Sequence, residues 1–215
     1  MIQTPVTLTP KDYKSEVKPT WCPGCGDFGV GDGDFFSIGV GHLVHAALRN
    51  IDITVVVMDN ETYGLTKGQT SPTSPHGHVT KSTPYGLLAS TFNPIATALT
   101  LNVSFVARGY SAKPKELAAL IEQGMTHHGF SFIHALSPCP TFYNTFDAWD
   151  ASVTPIPADH DPSDQMKALG LAMDTEKQYM GIFYQEERPT MDQAAHQLSQ
   201  QAQEFDLDKY MARYA

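Results

Sequence analysis

Residues 51–58 read Ile-Asp-Ile-Thr-Val-Val-Val-Met, and no other stretch limits the fold of this chain as much. A β-branched, nearly continuous apolar run of this length suits a strand buried on both faces, the kind found in parallel sheets. The segments around it fit that frame. Apolar residues at Phe35, Ile38, Leu43, Val44, Ala47 and Leu48 make a helical stripe. Residues 102–107 and 130–136 read as strands, and 181–184 as a last short one. Residues 85–99 read as a helix disturbed by Pro94, and 114–127 as a helix with proline in its first turn. Strands alternating with helices predict an α/β fold with a doubly wound, mainly parallel sheet. Ligands in such sheets sit beyond the carboxyl ends of the strands. Residues 59–85, rich in Thr, Ser, Pro and Gly, form a long loop at such an end, and loops of that length are functional or mobile. Residues 1–20 read as an N-terminal arm, 21–190 as the binding domain and 191–215 as a helical tail.

A chain of 215 residues makes one domain with a sizeable core. Its formal net charge is −9 with no basic run, which disfavours nucleic acid as a partner. No stretch of about 18 apolar residues predicts a membrane span. The polar N-terminus lacks the apolar core of a signal peptide, so the cytoplasm is the expected compartment. Three cysteines, Cys22, Cys25 and Cys139, suit a metal or cluster better than a disulfide framework.

Two short words carry the candidate chemistry. The first is Gly31-Asp32-Gly33-Asp34, and the second is Asp59-Asn60-Glu61-Thr62-Tyr63-Gly64. Asp32 and Asn60 each offer one hard oxygen, and the Thr62 backbone carbonyl offers a third. With two phosphate oxygens and a water they complete the octahedron that Mg²⁺ demands. Glycines beside Asp32 let a diphosphate approach the main chain. Taken singly, both words also describe ordinary turns after strands. A third word, Cys22-Pro23-Gly24-Cys25-Gly26, grips a metal through one turn, and Cys139 is placed to join it from a strand end. The cysteines alone leave four readings open: an iron–sulfur cluster, zinc, a redox pair or inert thiols.

Gly-Asp-Gly followed by a helix, a strand and Asn is the thiamine diphosphate signature. The longer runs Ile38-Gly39 through Asn50 and Met58 through Ser74 are more specific. From Trp21 to Pro189 the chain resembles the β subunit of 2-oxoacid:ferredoxin oxidoreductases, most closely the two-subunit 2-oxoglutarate type. That resemblance implies thiamine diphosphate and Mg²⁺ held by Asp32, Asn60 and Thr62. Gly31, Gly33, Asp34, Gly64, Leu65 and Thr66 would lie along the cofactor. It implies a [4Fe–4S] cluster on Cys22, Cys25 and Cys139, with a fourth ligand in a segment this chain lacks. That segment, roughly fifty residues with Gly-Ile-Gly-Cys-Ser and His-Gly-Arg words, separates Val30 from Gly31 in the family. An omission from the sequence is favoured over a true deletion, because every other part of the pattern is in order. Without it, residues 25–30 look too short and glycine-rich to bring Asp32 to the sheet edge.

The resemblance further implies CoA-dependent oxidative decarboxylation of a 2-oxo acid, 2-oxoglutarate before pyruvate, with electrons passed to ferredoxin. An α subunit would supply the activating Glu, and two αβ units would form a heterotetramer. No residue of this chain fits the role of that Glu by motif. The acidity is awkward, because ferredoxins are acidic too and need a local basic patch to dock. Among the remaining residues, Thr66, Lys67 and Gln69 are set to pass the diphosphate or stay solvated. His42 and His45 read as ordinary helix histidines, and His76 and His78 as loop residues. Arg108 and Lys113 read as surface charge, and Phe142, Tyr143 and Phe146 as cover over the cluster. Three rivals remain: a cluster-free thiamine diphosphate decarboxylase or synthase, a metal-binding electron-carrier module, and a non-catalytic assembly subunit.

Overall fold

The computed structural model describes residues 30–201 and 210–214. In chain order its elements are β1 (Val30–Gly31), α1 (Asp32–Ser37), α2 (Val40–Arg49), β2 (Ile53–Asp59), β3 (Thr62–Tyr63), β4 (Gln69–Thr70), α3 (Pro94–Thr100), β5 (Phe105–Tyr110), α4 (Pro114–Thr126), β6 (Phe130–Leu136), α5 (Phe146–Ser152), β7 (Val153–Pro155), α6 (Gln165–Ala172), β8 (Gln178–Gln185) and α7 (Met191–Gln201). Six strands form one sheet in the order β1-β2-β6-β5-β8-β7, and β3 pairs with β4 in a separate ribbon. From β1 to β5 the neighbours run parallel, while β8 is antiparallel to β5. This is the mainly parallel α/β sheet that the alternation of elements predicts.

The core lies on both faces. Phe36, Leu43, Val57, Ile95, Phe132 and Phe183 pack on one, beneath α1, α2, α3 and α6. Phe105, Leu117, Ile133 and Ala135 pack on the other, beneath α4. Strands β5 and β6 are therefore buried at every position, as their unbroken apolar runs require. Strand β2 is different: only its carboxyl end is buried, and Ile53 is 44 % exposed. The register explains it. β1 meets β2 only at Val57 and Met58, so among the described residues 53–56 have no strand partner on that side.

Several readings of the sequence are corrected here. The helical stripe of residues 35–48 is two helices broken at Ile38 and Gly39, and Ile38 is 83 % exposed. Residues 85–93 are not helical; α3 begins at Pro94, with the Asn93 side chain accepting a bond from the Ala96 N–H. Pro94 starts that helix instead of disturbing it, since its missing N–H would be unpaired there anyway. The strand read at 102–107 lies at 105–110, and the one read at 181–184 is the middle of an eight-residue strand. Elements α5, β7 and α6 went unread. Ahead of Asp32 only Val30 and Gly31 pair with β2, a two-residue strand, and residues 25–29 lie outside the described residues. No helix among the described residues is long and apolar enough to cross a membrane.

Asn50 ends α2 in the left-handed conformation, with φ at 44°. Its buried carboxamide donates to the carbonyls of Arg188 and Pro189, and accepts from Ser104 Oγ at 2.7 Å and the Phe130 N–H at 3.0 Å. One side chain thus joins a helix end, two strand starts and the segment after β8.

Candidate functional site

Gly31 pairs with Met58, so Asp32 and Asp59 leave adjacent parallel strands at the same level. Leu136 of β6 pairs with Asp59, which puts Ser137 and Cys139 beyond the same edge. Asp32, Asp59, Asn60 and Thr62 are all buried there. The Asn60 N–H points at Asp32 Oδ1 from 3.4 Å, and the Asn60 carboxamide oxygen accepts the Thr62 N–H at 3.0 Å. Thr73 Oγ1 lies 2.8 Å from Asp59 Oδ1 and 3.0 Å from Asp32 Oδ2. Ser74 secures that turn from below, donating to the Glu61 carbonyl at 2.6 Å and accepting the Ser71 N–H. Asp32, Asn60 and Thr62 are therefore gathered in one buried cluster, with the Asp32 and Asn60 side chains tied to the backbone around them.

The electrostatics fit a cation. Burial, and then the charge of Asp59, push Asp32 up to about 8. Burial, Asp59 and Asp32 push Glu61 up to about 8 as well. Carboxylates crowded in a dry site resist ionisation unless positive charge arrives. The donor set is oxygen only, the kind that a hard divalent ion takes. A cavity of about 230 Å³ adjoins this cluster, lined by Asp59, Glu61, Thr73, Arg108 and His134 among others.

The other predicted cofactor residues lie on the elements that start from this cluster, α1 and the segment after β3. Gly33 is buried, and its close neighbour is the ring of Tyr63. Gly31 is half-buried, and Asp34 is exposed on the first turn of α1. Gly64 opens a tight turn closed by bonds from Lys67 N–H to the Gly64 carbonyl and from Gly68 N–H to the Tyr63 carbonyl. Leu65, Thr66 and Lys67 are exposed at its tip.

Cys139 is buried, at 7 % exposure, and its Sγ receives the Phe142 N–H at 3.4 Å. A Cβ on Gly68 would meet the Phe142 side chain at 3.5 Å, so the cysteine turn lies beside the turn of residues 64–68. Tyr143 lies against the His78 ring, with centroids 4.2 Å apart. Cys22 and Cys25 lie outside the described residues. Among the described residues no group of three or more His, Cys, Asp or Glu is placed to hold a metal. His76 instead faces the Ala89 carbonyl, and His42 and His45 are exposed on α2.

Arg108 corrects the reading of surface charge. It is buried, donates from Nε to His134 Nδ1 at 3.1 Å and from Nη1 to Gln178 at 2.9 Å, and lies over the Phe183 ring. Burial lowers it to about 10, which still leaves it charged at neutral pH. Lys113 does sit near the surface, paired with Glu116. Sequence reasoning passed over Asp59, Thr73 and His134. Only His134 carries a local signal, as a polar residue inside the otherwise apolar run Phe-Ser-Phe-Ile-His-Ala-Leu.

Comparison with known proteins identifies the family. Residues 29–135 match the thiamine pyrophosphate enzyme C-terminal TPP-binding domain, and residues 139–200 match the C-terminal part of the pyruvate ferredoxin oxidoreductase β subunit. A solved 2-oxoglutarate:ferredoxin oxidoreductase from Magnetococcus marinus is 34% identical with a TM-score of 0.85, over 97% of this chain and 96% of that chain. This chain belongs to the 2-oxoacid:ferredoxin oxidoreductase β-subunit family. Within that family, the 2-oxoacid:ferredoxin oxidoreductase β subunit of Saccharolobus solfataricus is 43% identical over 173 residues, 73% of this chain and 56% of the relative. The 2-oxoglutarate synthase subunit KorB of Methanothermobacter marburgensis is 46% identical over 114 residues, 53% of this chain and 40% of the relative. The chain spans about half the length of these curated relatives. A 2-oxoacid:ferredoxin oxidoreductase β subunit of Aeropyrum pernix aligns at 28% identity over 276 positions, taking in 91% of this chain. That alignment is longer than the chain itself, so the relative carries residues this chain lacks within the matched span.

Proposed function

We propose that the chain acts as the β subunit of an enzyme that oxidatively decarboxylates a 2-oxo acid and transfers the acyl group to CoA, with ferredoxin as electron acceptor. 2-Oxoglutarate is favoured over pyruvate, on the strength of the 2-oxoglutarate-type relatives. The observation that carries the reading is the burial of Asp32 and Asn60 side by side at the ends of two neighbouring strands.

In this reading, Asp32 and Asn60 side-chain oxygens and the Thr62 carbonyl hold Mg²⁺, and through it the diphosphate. The bound thiamine diphosphate supplies the electron sink for decarboxylation. Thr73 and the Asn60 N–H orient the Asp32 carboxylate. The turn of residues 64–68, with Thr66 at its tip, flanks the cofactor. Cys139, with Cys22 and Cys25, holds a [4Fe–4S] cluster, and the Phe142 N–H stabilises the sulfur it faces. An α subunit supplies the activating Glu and much of the substrate pocket, as half a cofactor site requires, and two αβ units make a heterotetramer. The place of work is the cytoplasm. A ferredoxin docks where the net charge of −9 is locally relieved, on this chain or on its partner.

Calorimetric titration of the αβ complex with thiamine diphosphate in excess Mg²⁺ tests this. The unmodified complex is expected to bind, and Asp32→Ala to weaken binding by about 100-fold or more, the upper end of the range for lost metal-site groups. Equal binding by both would overturn the reading. Ferredoxin reduction with 2-oxoglutarate set against pyruvate then decides the substrate.

A further inference from the structure

Behind the candidate ion site runs a line of polar groups whose far members, Gln178, Arg108, His134 and Asp59, have no part in the proposed chemistry. It starts at Gln178, passes through Arg108, His134, Asp59 and Thr73, and ends on Asp32. We propose that Arg108 and His134 are positioning residues for the divalent ion, acting through Asp59 and Thr73 to set the orientation of the Asp32 carboxylate. The inference rests on the reading above that Asp32 and Asn60 hold that ion.

Counting donors and acceptors along the line gives the reason. Arg108 Nε can only donate, so His134 Nδ1 must accept. The neutral ring then carries its proton on Nε2 and gives it to Asp59 Oδ2 at 2.7 Å. Asp59 Oδ1 takes the Glu61 N–H at 2.9 Å. Both Asp59 oxygens thus have a donor without calling on Thr73. A hydroxyl has a single proton, and Thr73 Oγ1 is within reach of both Asp59 and Asp32. With Asp59 served by His134, the Thr73 proton is free to turn to Asp32 Oδ2. That leaves Asp32 Oδ1, the atom nearest the Asn60 N–H, to face the ion. Without the His134 proton, Asp59 Oδ2 has no donor, so the Asp59 carboxylate turns and competes for the Thr73 proton, which leaves Asp32 held only by Ser71 and the Asn60 N–H. Arg108 keeps the ring in place because it is itself held by Gln178 and by the Phe183 face.

Mn²⁺ serves as the probe in place of Mg²⁺, with free and bound ion counted by electron paramagnetic resonance on the αβ complex plus thiamine diphosphate. His134→Leu is expected to weaken Mn²⁺ by about 10- to 100-fold, the range for lost outer-shell partners. His134→Gln, which can donate to Asp59 and accept from Arg108 at once, is expected to restore most of that loss. Thr73→Val should lose as much as His134→Leu, and Thr73→Ser should recover it. A double His134→Leu, Thr73→Val variant should bind no worse than Thr73→Val alone, because both act on one proton. Unchanged Mn²⁺ affinity in His134→Leu, or losses that multiply in the double variant, would overturn the proposal. If His134→Leu does not fold, Thr73→Val decides: full affinity there overturns it. Asp32→Ala separates the two readings. Mn²⁺ binding that survives Asp32→Ala sinks the ion site itself, whereas loss there with no effect of His134→Leu sinks only the line behind it.

Discussion

The Tyr63 hydroxyl donates to the Gly33 carbonyl at 3.0 Å, and its ring fills the space that a Cβ on Gly33 would occupy. Ser37 Oγ meets the same hydroxyl at 2.8 Å. The ribbon carrying Thr62 is thereby fastened to the helix that starts at Asp32. The glycine is thus required by a side chain of the chain itself, quite apart from any diphosphate.

Gly33→Ala is therefore expected to push the ring out and loosen the ribbon, costing about 1–3 kcal/mol, the usual penalty for overpacking. Tyr63→Phe keeps the ring and loses only the hydroxyl bonds, at about 1 kcal/mol. Urea denaturation of both variants checks the order, and an alanine as mild as the phenylalanine would contradict it.

Cys139→Ser is expected to lower the iron content of anaerobically purified protein and its absorbance near about 400 nm, the region where iron–sulfur centres absorb. Iron analysis against the unmodified chain checks this. Equal iron in both would remove Cys139 from the proposed ligand set.

Asn50→Ala strands the Phe130 N–H inside the protein, takes from Ser104 Oγ its closest acceptor and unfastens the Arg188–Pro189 carbonyls. Alanine also tolerates the left-handed turn poorly. A loss of about 3 kcal/mol is expected, as for other buried groups left unpaired. A shift in the denaturation midpoint with an unchanged slope is the measurement.

His127 supplies a pH dependence. Its side chain is wholly buried, its Nε2 lies 3.0 Å from Ser104 Oγ, and its Nδ1 has no hydrogen-bond partner. Burial pushes its pKa down, outweighing Glu187 and Asp52. The folded ring is therefore neutral where the unfolded ring, with a value of about 6.5, already takes a proton. Stability from this group is full above about 6.5 and is lost as the pH falls from there toward the folded value. His127→Gln should flatten that slope between about pH 7 and 5. Comparing the two chains cancels the contributions of Asp32, Glu61 and His134. Parallel pH profiles would contradict the assignment.

How much of this was legible in the sequence depended on whether the signal was local. Strand β6 was read to the residue because burial on both faces leaves an unbroken apolar run. The helical stripe misled because a break at Gly39 preserves most of the spacing. The gathering of Asp32, Asn60 and Thr62 in one buried cluster was legible because each sits in a compact word of turn-forming residues. Thr73, His134 and Arg108 were not, since their partners lie 41, 75 and 26 positions away. Arg108 was misjudged because charge normally marks the surface, and here an imidazole, a carboxamide and an aromatic face replace water.

The short first strand has one more consequence. Among the described residues, the sheet stops beside positions 53–56, next to the part-exposed Ile51 and Ile53, and an unpaired strand edge of this kind is a template for a further extended segment. Water is a poor tenant for so apolar a margin. An extended segment seated there would run along the flank of the very strand that ends at Asp59.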